Sequence, residues 1–270
     1  WDEEVFDVYL QGRDDDEAQL IHEGDGWLSV GGWSPNDDRL LVSEAHSNFD
    51  QDVYVLDIES GEMDHLTPHE GDVRYGSAQW APDGDGIYLV TDDGADLRWL
   101  ARLDLDGSLH EVRSDDEWNI DGVAIDVDTG RLVYSRNVDG YTELTVGELT
   151  DETTIEEFPT PDLPGGLAGG VSWGPDAEQF AITVTGRTVN TNVYIVETET
   201  GEATRWTHAA TAGIPESTFV EPDLVHFETF DGREIPAYFS LPPADARDEG
   251  GVPVIVDIHG GPESQRRPSF

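Results

Sequence analysis

The chain repeats one pattern of apolar and turn residues about every 46 residues. WSPNDDRLLVS begins at Trp33, WAPDGDGIYLV at Trp80, IDVDTGRLVYS at Ile125 and WGPDAEQFAIT at Trp173, so the steps are 47, 45 and 48 residues. Each copy is an apolar segment, a polar turn and an alternating segment, which is typical of a β-hairpin. A repeat of this length restricts the fold to an array of similar units.

A second alternating segment follows each copy in phase. These segments are DVYVLDIESGE from Asp52, RWLARLDLDGS from Arg98, ELTVGELTDET from Glu143 and NVYIVETETGE from Asn192. Each leads through a Gly- or Asp-rich turn into one more short strand, which gives four strands per repeat. The period-two alternation excludes helical repeats of similar length. The sequence therefore predicts an all-β fold, a β-propeller with four-stranded blades of TolB/WD40-like type.

We assign four full blades to residues 23–68, 69–114, 115–159 and 165–208. Asp7-Val8-Tyr9 stands 45 residues before Asp52-Val53-Tyr54, so residues 1–22 fit the outer half of a preceding blade. We therefore expect a propeller domain over residues 1–215, with half a blade, four full blades and an incomplete ring. The repeated tryptophans and the Pro-Asp turns beside them are expected to pack between blades.

The chain is strongly acidic, with 59 Asp and Glu, 14 basic residues that are all arginine, and a formal net charge of −45. The acids are spread among strand-forming apolar residues, which argues against a disordered acidic tail. Molar salt shortens the Debye length to about 3 Å and would screen their repulsion. We therefore expect an acidic protein surface suited to a salt-rich, halophilic cytoplasm. No basic stripe is present, so nucleic acid and anionic membranes are excluded as partners.

The residue types also limit metal and cofactor sites. Cysteine is absent, which excludes disulfides and thiolate metal sites. Asp83-Gly84-Asp85 and Asp104-Leu105-Asp106-Gly107 resemble fragments of a calcium loop, but neither reaches the glutamate that the twelfth position requires. We assign both to hairpin turns and expect neither a metal nor a cofactor. No apolar stretch approaches the length of a transmembrane helix.

The pattern changes after Pro222. Residues Asp223–Pro242 form two alternating segments joined at Asp231-Gly232, a strong hairpin signal. A polar linker, PADARDEGG, leads to Val252–Ile258, where five of seven residues are Val or Ile. This run predicts a strand buried on both faces of a parallel sheet. It enters His259-Gly260-Gly261-Pro262, a turn whose glycines let backbone N–H groups approach a ligand closely.

A hairpin, a linker, an apolar strand and HGGP, in this order after a propeller, resemble the prolyl oligopeptidase family of serine peptidases. FETFDGREIPAYFSLP followed by IHGGPESQ carries the likeness, which is strongest to the halophilic archaeal acylaminoacyl-peptidase and dipeptidyl-aminopeptidase-like branches. The resemblance implies that residues 222–270 begin an α/β-hydrolase domain, truncated before its nucleophile. It also implies that the propeller admits short peptide substrates and excludes folded proteins. Homo-oligomer formation stays open.

The resemblance also implies residue roles. The backbone N–H of Gly261 would help hold the tetrahedral oxyanion, and His259, Gly260 and Pro262 would shape the loop. In that family the Ser, Asp and His of the triad follow HGGP, so we place none of them in this chain. We therefore expect a fragment that is inactive alone, whose last residues are held by the propeller or by a second copy.

Two other functions fit part of the pattern. A TolB-like propeller scaffold would bind a protein or peptide without catalysis, but it has no use for a hydrolase strand. A carboxylesterase of the same superfamily would use a similar loop, although that loop usually reads HGGG and the cap is usually helical. A Gly-x-Ser-x-Gly elbow encoded after Phe270 would favour a hydrolase, whereas a stop codon there would favour the scaffold.

Overall fold

The computed structural model describes residues 6–244, 247, 251–261 and 264–270. Over these residues the secondary structure consists of β-strands joined by turns, with a 3-10 turn at Glu216–Thr218 and no α-helix. In this part of the chain no helix is long and apolar enough to cross a membrane.

The strands form consecutive sheets in which strand order follows chain order. A two-stranded sheet contains β1 (Val8–Leu10) and β2 (Gln19–His22). Four sheets of four strands follow, which confirms the predicted blades of a β-propeller. Their strands are β3 (Leu28–Trp33), β4 (Arg39–Ser47), β5 (Asp50–Asp57) and β6 (Met63–His65); β7 (Tyr75–Trp80), β8 (Gly86–Thr91), β9 (Trp99–Asp104) and β10 (Leu109–Arg113); β11 (Ile120–Ile125), β12 (Arg131–Val138), β13 (Tyr141–Leu149) and β14 (Ile155–Glu157); β15 (Leu167–Trp173), β16 (Gln179–Gly186), β17 (Val189–Glu197) and β18 (Ala203–Arg205).

The first strand of every four-stranded sheet contains a β-bulge. The register shifts occur between Val30 and Trp33, Gly76 and Gln79, Ile120 and Gly122, and Gly169 and Ser172. A bulge adds an unpaired residue and increases the local twist. Gly170 has a φ of +69° at its bulge, a conformation that glycine adopts without strain.

Contacts divide the chain into two compact units. Unit 1 comprises Trp1–Arg136, Leu144–Thr160 and Pro175–Ala177. Unit 2 comprises Asn137–Glu143, Pro161–Gly174 and Glu178–Phe270.

In unit 1 each apolar cluster joins the facing surfaces of two consecutive sheets. One cluster joins Val8 of β1 to Leu40, Val42 and Leu56 of the next sheet. The second joins residues of β4–β5 to residues of β7–β9: Leu41, Val53, Val55, Tyr75, Trp80, Ile87, Leu89, Ala101 and Leu103. The third joins residues of β8–β10 to residues of β11–β14: Tyr88, Val90, Leu100, Val112, Ile120, Val123, Ile125, Leu132, Tyr134 and Ile155. Because both of its faces are covered, every residue of β8 is buried.

Trp80 is the repeated tryptophan that packs between two blades. Its side chain is 2% exposed, and its indole Nε1–H donates to the carbonyl oxygen of Gly32 in the preceding sheet over 2.9 Å. The guanidinium of Arg39 lies 5.2 Å from the ring centroid of Trp80. Trp33 is 42% exposed, so the predicted packing is confirmed for Trp80 and does not hold for Trp33.

Unit 2 contains the sheet β15–β18 and a hairpin of β19 (Asp223–Glu228) and β20 (Glu234–Phe239). The two hairpin strands pair antiparallel from Asp223 opposite Phe239 to Glu228 opposite Glu234. Gly232 in the turn has a φ of +81°, and its N–H donates to the carbonyl of Thr229. The hairpin predicted at Asp231-Gly232 is therefore confirmed. The division into domains at residues 215 and 222 stays a prediction.

The prediction of a strand at Val252–Ile258 is wrong. The segment has no β-structure, and Val254 and Ile255 are 81% and 93% exposed. No strand among the described residues runs beside it, so its backbone groups have no ladder partners. Because a strand is stable only when it pairs with neighbours, high β-propensity alone does not form one.

Replacing Trp80 with alanine is expected to lower the free energy of unfolding by about 3–5 kcal/mol, because the change leaves a large cavity between two sheets. Urea titration in molar KCl would measure the loss. Trp206 is 71% exposed, so Trp206→Ala is the matched control and should cost no more than about 0.5 kcal/mol. Equal losses in the two variants would contradict the packing role of Trp80.

Candidate functional site

The predicted oxyanion loop lies in the C-terminal part of unit 2. His259 is exposed, and its Nδ1–H donates a hydrogen bond to the carbonyl oxygen of Gly260 over 2.7 Å. A Cβ added to Gly260 would meet no heavy atom within 4 Å. Gly261 is exposed, and Pro262 lies outside the described residues. His259 is therefore a loop histidine bonded to its own turn, and the catalytic role of the loop stays a prediction.

The β19–β20 hairpin contacts the tip of the β12–β13 hairpin. The hydroxyl of Tyr238 donates to the carbonyl oxygen of Asp139 over 2.7 Å, and its ring meets Tyr141 edge to face. Burial raises the pKa of Tyr238 to about 12, so the phenol remains a donor at neutral pH. Gly140 has a φ of +85°, and a Cβ there would lie 2.5 Å from the Tyr238 oxygen. Position 140 therefore requires glycine, because any side chain there would clash with the hydroxyl of Tyr238.

The C-terminal tail, residues 264–270, returns to the same hairpin tip. Arg267 donates from Nε to the carbonyl oxygen of Gly140 over 2.9 Å and from Nη2 to Thr142 Oγ1 over 3.2 Å. The ring of Phe270 packs edge to face against Phe219, with ring centroids 5.2 Å apart. These contacts agree with the prediction that the blades hold the last residues.

A cluster of imidazole and carboxylate groups lies on the sheet β3–β6 of unit 1. Asp52 is at its centre, with a side chain that is 9% exposed. His46 Nε2 lies 2.8 Å from one carboxylate oxygen of Asp52, and His65 Nε2 lies 2.7 Å from the other. Thr67 Oγ1 donates to the second oxygen over 3.2 Å. Both oxygens of a buried carboxylate therefore have fixed polar partners.

Strand register brings this cluster together. Glu44 on β4 stands directly opposite Asp52 on β5. Tyr54 is two residues beyond Asp52, so it shares the same face. The hydroxyl of Tyr54 donates to a carboxylate oxygen of Glu44 over 3.0 Å. His46 follows Glu44 at a register shift between Ala45 and Ser47.

The hydrogen bonds in the cluster outweigh the cost of burying a charge. Burial alone would raise the pKa of Asp52, but the hydrogen bonds from His46 and His65 lower that pKa below its usual range. The hydrogen bond to Asp52 raises the pKa of His46. Asp52 is consequently a carboxylate at neutral pH.

Sequence reasoning assigned none of these residues to a site. The signal in the chain is Glu44-x-His46 followed by Asp52-x-Tyr54, two alternating polar pairs on adjacent strands. This signal indicates a site only when the register of β4 and β5 is known, because a one-residue shift would place the two pairs on opposite faces of the sheet.

The two fragments that resemble a calcium loop are hairpin turns, as predicted. The N–H of Gly84 donates to the carbonyl of Ala81. Arg102, whose side chain is 5% exposed, contacts Asp83 Oδ2 at 2.9 Å and Asp104 Oδ1 at 3.0 Å. A buried guanidinium therefore occupies the place between these carboxylates.

Ser172 stands in a Gly-x-Ser-x-Gly sequence, Gly170-Val171-Ser172-Trp173-Gly174, that sequence reasoning overlooked. A nucleophile elbow needs this serine on a sharp turn between a strand and a helix. Ser172 instead lies within β15, paired with Ala181 of β16, and Gly170 belongs to the bulge of that strand. The match is consequently part of a blade and does not form an elbow.

Comparisons with known proteins give distant relatives. No family model matches the chain. Among curated proteins, a probable dipeptidyl-aminopeptidase B of Tuber melanosporum (strain Mel28) is 29% identical over 102 residues, which is 36% of this chain and 11% of that protein.

Three solved structures are similar to most of the chain. A chain from a study of two prolyl endopeptidases has a TM-score of 0.71 at 18% identity, covering 89% of this chain and 35% of that one. A puromycin hydrolase has a TM-score of 0.68 at 17% identity, covering 85% and 37%. Oligopeptidase B from Trypanosoma brucei has a TM-score of 0.67 at 18% identity, covering 90% and 36%. The chain spans about a third of the length of these proteins. At such identities the likeness shows the propeller fold alone.

Replacing Arg267 with alanine is expected to speed hydrogen exchange at the amides of Ser269 and Phe270 by about tenfold or more. Hydrogen bonds from a charged group contribute about 1.5–3 kcal/mol each, and the variant loses those to Gly140 and Thr142. Arg266→Ala is the control, because Arg266 is half exposed and its guanidinium forms an ion pair with the exposed Asp257 at 3.3 Å. Equal exchange in both variants would contradict the proposed anchoring.

Proposed function

We propose that this chain is the propeller and oxyanion-loop portion of a serine peptidase of the prolyl oligopeptidase family that hydrolyses short peptides. The observation that carries the proposal is a combination of two features. The structural matches to a prolyl endopeptidase, a puromycin hydrolase and an oligopeptidase B cover 85–90% of the chain, and most of that length is the propeller. The same chain then continues through the β19–β20 hairpin into His259-Gly260-Gly261.

In this proposal Gly261 supplies a backbone N–H to the oxyanion of the tetrahedral intermediate. Such a donor stabilises a transition state by about 3 kcal/mol. Two observations support the assignment: Gly261 is exposed, and no heavy atom lies within 4 Å of a Cβ added to Gly260. The hydrogen bond from His259 to Gly260 fixes the turn beside it.

The propeller is proposed to limit access by size. Its blades are rigid because consecutive sheets in unit 1 pack against each other through shared clusters of buried apolar side chains, and every residue of β8 is buried. A rigid assembly of this kind admits a flexible peptide and excludes a folded domain. The segment Val252–Ile258 forms its strand when neighbouring hydrolase strands supply ladder partners.

A fluorophosphonate, which reacts with activated serines, tests the proposal on the protein expressed through its complete reading frame. One serine outside residues 1–270 is expected to be labelled, with peptide mapping as the readout. The 270-residue chain alone is expected to remain unlabelled at 29.7 kDa. Ser172→Ala is the control and should leave labelling unchanged. Absence of labelling, or labelling of Ser172, would refute the proposal.

The loop is tested by Gly261→Pro in the same protein, since proline lacks the N–H that the oxyanion needs. The expected result is a fall in kcat of about 10²–10³-fold with little change in KM. Gly260→Ala keeps its N–H and meets no neighbour within 4 Å, so it should retain most activity. Equal loss in both variants would assign the loop a structural role only.

We further propose that the protein works in a salt-rich cytoplasm, because its net charge of −45 is self-repulsive in dilute salt. Raising KCl from about 0.1 M to 1 M shortens the Debye length from about 10 Å to 3 Å. The midpoint of thermal unfolding is expected to rise over this range. Sucrose, which stabilises folded proteins without screening charge, serves as the control. A midpoint that rises with sucrose but not with KCl would contradict the proposal.

A further inference from the structure

The cluster around Asp52 has the donor atoms of a metal site. Glu44, His46 and Asp52 each present one ligating atom, and the three atoms lie within 4.8 Å of one another. They provide one imidazole nitrogen and two carboxylate oxygens, a set that suits a divalent first-row transition ion. The charge of such an ion would balance the two carboxylates.

The donors are already oriented by a second set of hydrogen bonds. His65 and Thr67 hold one oxygen of Asp52, which leaves the other directed at His46. Tyr54 holds one oxygen of Glu44. Outer partners of this kind fix the ligands of known metal sites. The site also has an approach, because His46, Asp52 and His65 line a surface cavity of about 390 Å³.

An equivalent position in another blade shows what the fold itself requires. Asn192 on β17 occupies the place of Asp52, and Thr207 takes the place of Thr67. Thr207 Oγ1 contacts Asn192 Oδ1 at 3.2 Å and accepts from the N–H of Val193 at 2.8 Å, as Thr67 Oγ1 does with Val53 at 2.9 Å. A neutral amide at this position is therefore sufficient for the contacts that the blade needs. A carboxylate surrounded by the imidazoles of His46, His65 and His69 is an addition in the first four-stranded sheet.

We propose that Glu44, His46 and Asp52 bind a Zn²⁺ ion, which takes the place of the proton between His46 Nε2 and Asp52 and releases that proton to solvent. A water molecule completes the tetrahedron on the side of the cavity. His65, Thr67 and Tyr54 orient the ligands. The ion joins β4 to β5 beside their connecting turn and has a structural role. Calcium and magnesium are poor occupants, because both prefer all-oxygen ligands.

The test is calorimetric titration of the untagged chain with ZnCl₂ in molar KCl, where weak association with surface acids is screened. One ion per chain is expected to bind, and Co²⁺ in its place should give the visible absorption bands of a tetrahedral site. Excess Ca²⁺ should not displace the ion. His65→Gln should weaken binding by about 10–100-fold, as loss of an outer partner does.

Asp52→Asn is the decisive variant, because Asn192 shows that an amide at this place is compatible with the blade. It should fold with an unchanged circular dichroism spectrum and lose the stoichiometric Zn²⁺ binding, as should His46→Gln. His110→Gln is the matched control: His110 also contacts a carboxylate, Asp104 at 2.9 Å, but lies outside the cluster. It should bind Zn²⁺ as the native chain does. Equal binding by the native chain and Asp52→Asn, or no saturable binding by the native chain, would overturn the proposal.

Discussion

The structure of unit 1 depends on sheets that are apolar on both faces. A four-stranded sheet such as β7–β10 cannot leave either face in water, because its second strand has buried side chains in both directions. The preceding sheet therefore covers one face and the following sheet covers the other, which produces the clusters that join β4–β5 to β7–β9 and β8–β10 to β11–β14. The hydrogen bond from Trp80 to Gly32 fixes the distance between two such layers.

Covering both faces confines chemistry to strand ends, turns and edges. The Asp52 cluster follows this rule, since it lies where β4 and β5 approach their turn and where β6 leaves the sheet. The tip of the β12–β13 hairpin follows it too, because the backbone carbonyls of Asp139 and Gly140 have no strand partner there and accept hydrogen bonds from Tyr238 and Arg267. The blade supplies a rigid frame, and residues at its margins vary from blade to blade, as Asp52 and Asn192 do.

The architecture could be predicted from the sequence because the repeat is periodic and its turns contain Asp, Gly and Pro at the positions typical of β-hairpins. The four sheets and the β19–β20 hairpin were predicted from alternation and from Asp-Gly turns. Val252–Ile258 was predicted wrongly because propensity does not reveal whether ladder partners exist. The Asp52 cluster was missed because it depends on the register between two strands. Ser172 shows the reverse. Its Gly-x-Ser-x-Gly sequence suggests a nucleophile elbow, but the serine lies in strand β15 next to a β-bulge.

The bond between Arg267 and Gly140 links positions 127 residues apart. Within each blade, by contrast, every strand pairs with the strand before it, so the blades form from contacts close in sequence. Closing a loop is entropically unfavourable, and the cost grows by about 0.6 kcal/mol for each doubling of its length. Contacts of long sequence separation also slow folding. The tail should therefore dock last as the chain folds and detach first when it is stressed.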